Sequence, residues 1–138
     1  MGQSAPAAFT IMIVEDDPDI RSLVAMALGL DAGLKVVEAE TGEAAMERLV
    51  KPPMPDLILI DLHLPDMDGF QLVKALELIH PGLTLHCAFL TASARQADIA
   101  RFEASGVRGA IAKPFDALGL ASHVRTLLNP SRFTFLSS

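Results

Sequence analysis

The feature that most constrains the fold is a run of branched apolar residues that ends in a carboxylate. The segment LILIDLHLPDMDG, residues 57–69, begins with a strand too apolar to have one face in water. Such a run predicts a central strand of a sheet that is covered on both faces. Asp61 stands at the end of this run, where burial penalises its charged form, so it needs a partner or a function. The sequence therefore predicts a buried strand with a functional acid at its end.

Five apolar runs alternate with segments of helical period. The predicted strands are 9–14, 35–39, 56–62, 85–92 and 109–115. The first predicted helix begins at Pro18 and is capped by Asp17, and the second covers 42–50 and is capped by Thr41. Three more helices are predicted over 69–79, 94–105 and 116–128. Right-handed crossovers between parallel strands must place helices on the faces of the sheet. The pattern predicts a doubly wound α/β domain with a five-stranded parallel sheet.

Composition limits the partners and the compartment. The net charge is −6, and Lys and Arg are scattered singly, which argues against direct binding of DNA or RNA. The first ten residues lack the basic and apolar regions of a signal peptide. No window approaches the roughly 20 apolar residues of a membrane helix. The single cysteine, Cys87, cannot form an internal disulfide. We expect a cytoplasmic protein without a membrane partner.

The 138 residues predict one domain with short tails. We expect an N-terminal tail over 1–8, the domain over 9–129 and a C-terminal tail over 130–138. The RFTFL segment of the last tail has two alternatives. It docks on a target or on its own domain, or it frays as termini commonly do.

Polar residues stand where the predicted strands end, which is where a doubly wound sheet places its site. They are Glu15, Asp16 and Asp17 after the first strand, Asp61 after the third, Thr91 after the fourth and Lys113 after the fifth. Carboxylates at one rim repel each other by about 4 kcal/mol per pair at 4 Å, so a cation is expected. The all-oxygen donor set indicates Mg²⁺. A carboxylate between a metal ion and the ammonium group of Lys113 is a competent nucleophile toward phosphorus.

Four sequence blocks carry a resemblance to a known family. IMIVEDDPDIR, LILIDLHLPDMDGF, FLTAS and GAIAKPF follow one another between about residues 11 and 128. In their order and spacing they resemble the receiver domain of two-component response regulators, of the stand-alone chemotaxis or relay type. The resemblance implies a flavodoxin-like sheet with strand order 2-1-3-4-5.

The same resemblance assigns roles to the residues of these blocks. It implies that Asp61 is the phosphoacceptor, Thr91 the switch hydroxyl and Lys113 the phosphate-pairing lysine. It also implies that Mg²⁺ is held by Glu15, Asp16, Asp61 and the backbone carbonyl of His63. The phosphoryl group would come from a sensor histidine kinase or a phosphotransfer protein, and a downstream target protein would read the result. The domain would catalyse only its own phosphorylation and dephosphorylation, and whether phosphorylation produces a dimer stays open.

One departure keeps alternatives open. Ala110 stands where most family members carry an aromatic switch residue, so Phe102 or Phe115 would serve instead, or the signalling surface would change shape less. A first alternative is a pseudo-receiver, an interaction module that has lost the chemistry. A second is a phosphohydrolase of the haloacid dehalogenase type, which wants a second Asp where this chain has His63. The sequence also leaves open whether the chain is a fragment of a larger hybrid protein.

Overall fold

A computed structural model describes residues 9–137, which alternate between strands and helices. The strands are β1 (Phe9–Val14), β2 (Leu34–Ala39), β3 (Leu57–Asp61), β4 (Cys87–Thr91), β5 (Gly109–Ala112) and β6 (Thr134–Leu136). The helices are α1 (Pro18–Gly29), α2 (Gly42–Arg48), α3 (Gly69–Ile79), α4 (Gln96–Ala104) and α5 (Ala117–Leu128), and a 3₁₀ turn covers Leu83–His86. No helix among these residues is both long and apolar enough to cross a membrane.

The strands form one sheet in the order β2-β1-β3-β4-β5-β6, and every neighbouring pair is parallel. All five residues of β3 are buried, as expected for a central strand with helices on both faces. The predicted doubly wound class and the order 2-1-3-4-5 are confirmed, and β6 extends the sheet by a sixth strand.

Side chains fix where most of the helices begin. The Asp17 carboxylate accepts hydrogen bonds from the amides of Asp19 and Ile20 at the start of α1. The Thr41 hydroxyl accepts one from Ala44 at the start of α2, so both predicted caps are confirmed. The start of α4 differs, because its N-cap residue Arg95 makes no side-chain capping bond. This helix therefore lacks a local anchor that α1 and α2 possess.

Two apolar layers cover the two faces of the sheet. On one face α1 and α5 contribute buried residues to a cluster: Val24, Ala27, Leu28, Leu120, Val124 and Leu127. On the other face α2, α3 and α4 contribute Ala45, Leu72, Val73, Leu76 and Phe102. Cys87 is buried in the same cluster, and burial raises the pKa of its thiol to about 12. This thiol therefore stays protonated at neutral pH.

The segment that was predicted as a C-terminal tail contains β6, which pairs with β5 along Thr134–Leu136. Of the alternatives for RFTFL, the structure shows docking on its own domain. The sequence did not reveal this strand because it has only three residues, and its position depends on an edge of the sheet formed by distant residues. Helix α5 serves as the crossover between β5 and β6. The predicted N-terminal tail, residues 1–8, lies outside the described residues.

Candidate functional site

Three carboxylates and one ammonium group meet at the carboxyl ends of the strands. Glu15 and Asp16 follow β1, and Asp61 ends the neighbouring strand β3. The long side chain of Lys113, which follows β5, reaches past β4 to this point. Its Nζ atom lies 3.0 Å from Oε1 of Glu15 and 3.2 Å from Oδ1 of Asp61. Carboxylate oxygens of Glu15, Asp16 and Asp61 lie within 4.8 Å of one another. We call these four residues the acid cluster.

Burial differs sharply within the acid cluster and shifts its pKa values. Glu15 is 1% exposed and Asp61 is 7% exposed, whereas Asp16 is exposed to solvent. Burial raises the pKa of Glu15, and the charge of Asp61 adds to this, although Lys113 and the amide of Asp17 oppose it. Burial alone would lower the pKa of Lys113, but its hydrogen bond to Glu15 and the nearby acids outweigh burial and raise it. The ammonium group therefore stays charged at neutral pH.

The first turn of α1 holds the Glu15–Asp16 loop from behind. Nη1 of Arg21 donates to the backbone carbonyl of Glu15 at 2.9 Å and to that of Asp16 at 3.4 Å. Nε of the same side chain donates to the Glu38 carboxylate at 3.1 Å. The amide of Asp17 donates to Oε2 of Glu15 at 3.2 Å. Arg21 thus fixes the backbone of the acidic loop, a role that the sequence did not reveal because Arg21 is one of several scattered cations.

The donor set of the acid cluster fits a hard divalent cation. One ammonium group faces three carboxylates, and within the described residues it contacts Glu15 and Asp61 but not Asp16. Because like charges at this spacing repel by about 4 kcal/mol per pair at 4 Å, the cluster favours an added cation. Mg²⁺ takes one or two carboxylates and keeps several waters, and the exposed side of Asp16 leaves room for them.

A hydrogen-bonded network at the end of β4 lies on the same rim. The Thr91 hydroxyl is buried and accepts a hydrogen bond from the amide of Ser93 at 3.0 Å. The Ser93 hydroxyl donates to Oδ2 of Asp98 at 2.5 Å, and Nε of Arg95 donates to the same oxygen at 3.1 Å. These bonds to Ser93 and Arg95 lower the pKa of Asp98. We call Thr91, Ser93, Arg95 and Asp98 the loop network.

A half-open cavity of about 580 Å³ lies beside the loop network. Its walls include His63, Phe70, Thr91, Arg101 and Phe102, but not Asp61. The guanidinium carbon of Arg101 lies 4.0 Å from the centroid of the Phe70 ring. The residue predicted as the switch hydroxyl, Thr91, therefore lines this cavity, and no residue of the acid cluster does.

Comparison with known proteins decides the family. The family model described as the response regulator receiver domain matches residues 11–125, which is most of the chain. The chain belongs to the response regulator receiver domain family. The match assigns it to this family rather than to the haloacid dehalogenase type.

Relatives of this receiver domain occur in several contexts. An uncharacterised 14.6 kDa protein of Leptolyngbya boryana is 36% identical over 83% of this chain and 86% of its own length. The phosphate regulon transcriptional regulatory protein PhoB of Escherichia coli is 33% identical over 86% of this chain but only 51% of its own length. A protein-glutamate methylesterase of Dechloromonas aromatica is 32% identical over 86% of this chain and 32% of its own length. The chain thus spans about a third to a half of these two longer relatives.

Solved structures show the same fold. A putative response regulator of Chloroflexus aurantiacus superposes with a TM-score of 0.76 at 30% identity, covering 87% of this chain and 97% of the other. The chemotaxis response regulator CheY4 of Vibrio cholerae gives a TM-score of 0.77 at 28% identity, covering 86% and 98%. The flavodoxin-like receiver fold of this chain is therefore established.

The site residues predicted for the receiver domain have different outcomes. Glu15, Asp16, Asp61 and Lys113 come together as the acid cluster. Thr91 lies at the end of β4, the strand next to β3, and its hydroxyl is hydrogen-bonded to Ser93 of its own loop. His63 is exposed two residues after Asp61, and a ligand role for its carbonyl stays a prediction.

The position that departs from the family pattern is packed between rings. Ala110 is fully buried and pairs with Phe89 on one side and with Phe135 of β6 on the other. Phe102 is also buried and lies in the same apolar cluster, whereas Phe115 lies in the cluster on the opposite face. The structure therefore adds Phe135, which was not considered from the sequence, to the candidate rings near position 110.

Proposed function

We propose that this receiver domain is a phosphorylation-dependent signalling module whose phosphoacceptor is Asp61. The observation that carries the proposal is the contact of Asp61 with Lys113 beside two further acids, at the carboxyl end of a central strand. No structural role requires this arrangement, because a buried ion pair is a weak stabiliser and the extra acids make it weaker. The domain catalyses only its own phosphorylation and dephosphorylation.

The proposed reaction moves one phosphoryl group from nitrogen to oxygen. A carboxylate oxygen of Asp61 attacks phosphorus, the P–N bond of a phosphohistidine breaks, and the imidazole leaves with the electron pair and takes up a proton. Glu15, Asp16, Asp61 and the backbone carbonyl of His63 would hold Mg²⁺, which would supply positive charge to offset the charge of the transferring group. Transfer depends mainly on such positioning and charge neutralisation.

Lys113 and Thr91 serve the phosphoryl group after transfer. Lys113 gives up its contact with Asp61 and pairs with a phosphoryl oxygen, which keeps its charge compensated. Thr91 turns its hydroxyl away from the Ser93 amide and donates to another phosphoryl oxygen. The loop network is therefore the first part of the molecule to register the state of Asp61.

The partners follow from the family. The phosphoryl donor is a sensor histidine kinase or a phosphotransfer protein, and the reader is a downstream target protein in the cytoplasm. The relatives named above include a transcriptional regulator, a methylesterase and a chemotaxis regulator, so the receiver unit occurs with different outputs. Whether phosphorylation produces a dimer stays open and is measured by light scattering with and without a phosphodonor.

The test is phosphoryl uptake measured by intact mass. Wild type incubated with acetyl phosphate and Mg²⁺ is expected to gain the mass of one PO₃ group, and Asp61→Asn is expected to gain none. Asp17→Asn is the matched control, since it removes a neighbouring exposed acid while Asn caps a helix as well as Asp. It is expected to gain the group like wild type. Equal uptake by Asp61→Asn and wild type would refute Asp61 as acceptor. No uptake and no beryllofluoride binding by wild type would identify a pseudo-receiver.

A further inference from the structure

β6 is a short strand that covers the edge of β5. It has three residues, and all three are only half-buried. The amide of Thr134 donates to the carbonyl of Arg108 at 3.1 Å, which begins the pairing. A short edge strand with half-buried side chains opens at a low free-energy cost compared with a central strand. β6 is therefore suited to leave the sheet while the rest of the domain stays folded.

The edge of β5 is shaped to accept this strand closely. A Cβ atom on Gly109 would collide with the carbonyl oxygen of Thr134 and with Cδ2 of Leu127. The next residue, Ala110, has a small side chain that lies beside Phe135 in register. Phe133 and Phe135 pack against the apolar cluster that contains Ala110 and Phe102, whereas Leu136 packs against the cluster on the opposite face. β6 can therefore approach β5 closely because Gly109 has no side chain and Ala110 has a small one.

Helix α4 is the other weakly held element on this face. Among its nine residues only Phe102 is buried. The Phe102 ring lies 5.5 Å from that of Phe89 and 6.0 Å from that of Phe70. Without a side-chain cap, the start of α4 depends on the bonds that Asp98 makes with Ser93 and Arg95. The position of the Phe102 ring therefore depends on the loop network.

Hydrogen bonds and one shared apolar cluster lie between the switch hydroxyl and β6. Thr91 bonds to Ser93, and Ser93 bonds to Asp98 in the first turn of α4. Phe102 stands four residues after Asp98, so the two share one face of the helix. Phe102 belongs to the cluster against which Phe135 packs. Helix α4 and β6 thus pack against the same apolar cluster, α4 through Phe102 and β6 through Phe135.

We infer that β6 is a releasable cover of the β5 edge, held through Phe135 and Phe102 by the loop network. When the network is intact, β6 stays paired with β5. When the Thr91 hydroxyl leaves Ser93, α4 loses its anchor and β6 opens more often. The phosphoryl-dependent part rests on the function proposed above, but the link between Asp98 and β6 does not, because it is present in the unphosphorylated domain.

The first experiment measures amide hydrogen exchange of Thr134 by NMR in the full chain. Asp98→Ala is expected to raise the exchange rate at least about tenfold, while amides of β1 and β3 stay as in wild type. Asp19→Ala is the matched control, because Asp19 is likewise an acid in the first turn of its helix but lies on α1. It is expected to leave Thr134 within about twofold of wild type. An unchanged Thr134 rate in Asp98→Ala, or an equal rise in both variants, would overturn the inference.

A double-variant comparison tests the route through the ring. Phe135→Ala and Leu136→Ala both weaken β6, but only Phe135 packs on the α4 side. Adding Asp98→Ala to Phe135→Ala is expected to change Thr134 exchange by less than about twofold, since the link is already broken. Adding it to Leu136→Ala is expected to give the full tenfold rise. The same rise in both backgrounds would refute the path through Phe135. In Gly109→Ala the added Cβ is expected to displace β6, so this variant gives the Thr134 exchange rate of an uncovered edge as a reference.

The last arm adds the phosphoryl mimic to wild type. Beryllofluoride with Mg²⁺ is expected to raise Thr134 exchange at least about fivefold. Acetyl phosphate uptake, read separately by mass, distinguishes the two possible failures. Uptake without a change at Thr134 would refute the release of β6 and leave the phosphoacceptor intact. A response of Thr134 to Asp98→Ala without uptake would refute the phosphoacceptor and leave the cover intact.

Discussion

The acid cluster and the loop network lie on the same rim of the sheet, yet they are built in opposite ways. In the acid cluster, Glu15 and Asp61 are buried and share one ammonium group. In the loop network, Asp98 is partly exposed and accepts from Ser93 and Arg95. The first arrangement leaves excess charge inside the protein, whereas the second satisfies its one carboxylate with hydrogen bonds near solvent.

This difference suits the acid cluster to binding charged ligands and the loop network to conformational change. Buried charges that lack full compensation interact strongly with whatever cation or phosphoryl group arrives, because the local dielectric is low. Bonds near solvent contribute little net stability, so they break and reform at small cost. Under the function proposed above, the domain both binds a phosphoryl group and changes shape, and one region of each kind suits these two tasks.

The largest expected effect on the free energy of unfolding comes from removing Lys113, the cation of the acid cluster. Lys113→Ala leaves Glu15 and Asp61 next to each other without compensation. The free energy of unfolding is expected to fall by about 3 kcal/mol at pH 7, the low end for a broken buried pair because Lys113 itself is partly exposed. Urea denaturation measures this. Lys74→Ala, on an exposed site of α3, is expected to change it by less than about 0.5 kcal/mol. Equal effects of the two variants would contradict the comparison.

Magnesium is expected to give the next largest effect. At a free concentration ten times its Kd, Mg²⁺ stabilises wild type by about 1.4 kcal/mol if it binds only the folded state. Asp16→Asn is expected to lose this increment while its stability without metal stays near that of wild type, because Asp16 is exposed. Denaturation curves with Mg²⁺ and with a chelator provide the measurement. A full increment in Asp16→Asn would remove Asp16 from the ligand set.

The pH dependence of stability is expected to have opposite signs in the two regions. Burial raises the pKa of Glu15, so in metal-free buffer its contribution is present below about pH 4.5 and is lost as the pH rises through the raised value. Bonds from Ser93 and Arg95 lower the pKa of Asp98, so its contribution is present above about pH 3.8 and is lost as the pH falls. Glu15→Gln is expected to remove only the loss of stability at rising pH. Asp98→Asn is expected to remove only the loss of stability at falling pH. Denaturation at a series of pH values checks both signs.

The smallest expected effect on global stability is that of Asp98→Asn at pH 7. Its ion pair with Arg95 is mostly in solvent, and such pairs contribute little. The midpoint of urea denaturation is expected to fall only slightly, by the small contribution that Asp98 makes to stability above about pH 3.8. A clear drop in that midpoint would show that the loop network supports the whole fold and not α4 alone.

The sequence predicted the acid cluster because each of its members lies at the end of a strand or just after it. A five-residue buried run such as β3 is visible in the local pattern, and the doubly wound order then brings the strand ends together. Asp17 and Thr41 were predictable as caps for the same reason, since capping depends on residues a few positions apart. The residues near each of these positions in the sequence were sufficient to predict its role.

The loop network and β6 could not be predicted in this way. The Ser93–Asp98 bond depends on the path of the loop after β4, and the sequence gives no period or spacing that marks it. The pairing of β6 depends on an edge formed by β5, and three residues are too few for an alternating pattern. The predicted substitutes for the missing ring at Ala110 did not include Phe135 for the same reason. The loop network, β6 and the position of Phe135 were missed because they depend on tertiary contacts.

The buried thiol of Cys87 has a practical consequence. It is the only cysteine in the chain, and burial keeps it protonated, so reagents that require a thiolate react with it slowly. A Ser137→Cys substitution, at an exposed position next to β6, therefore introduces a thiol that can be labelled selectively without altering the native one. A fluorophore or spin label at this position would follow the departure of the last strand in real time.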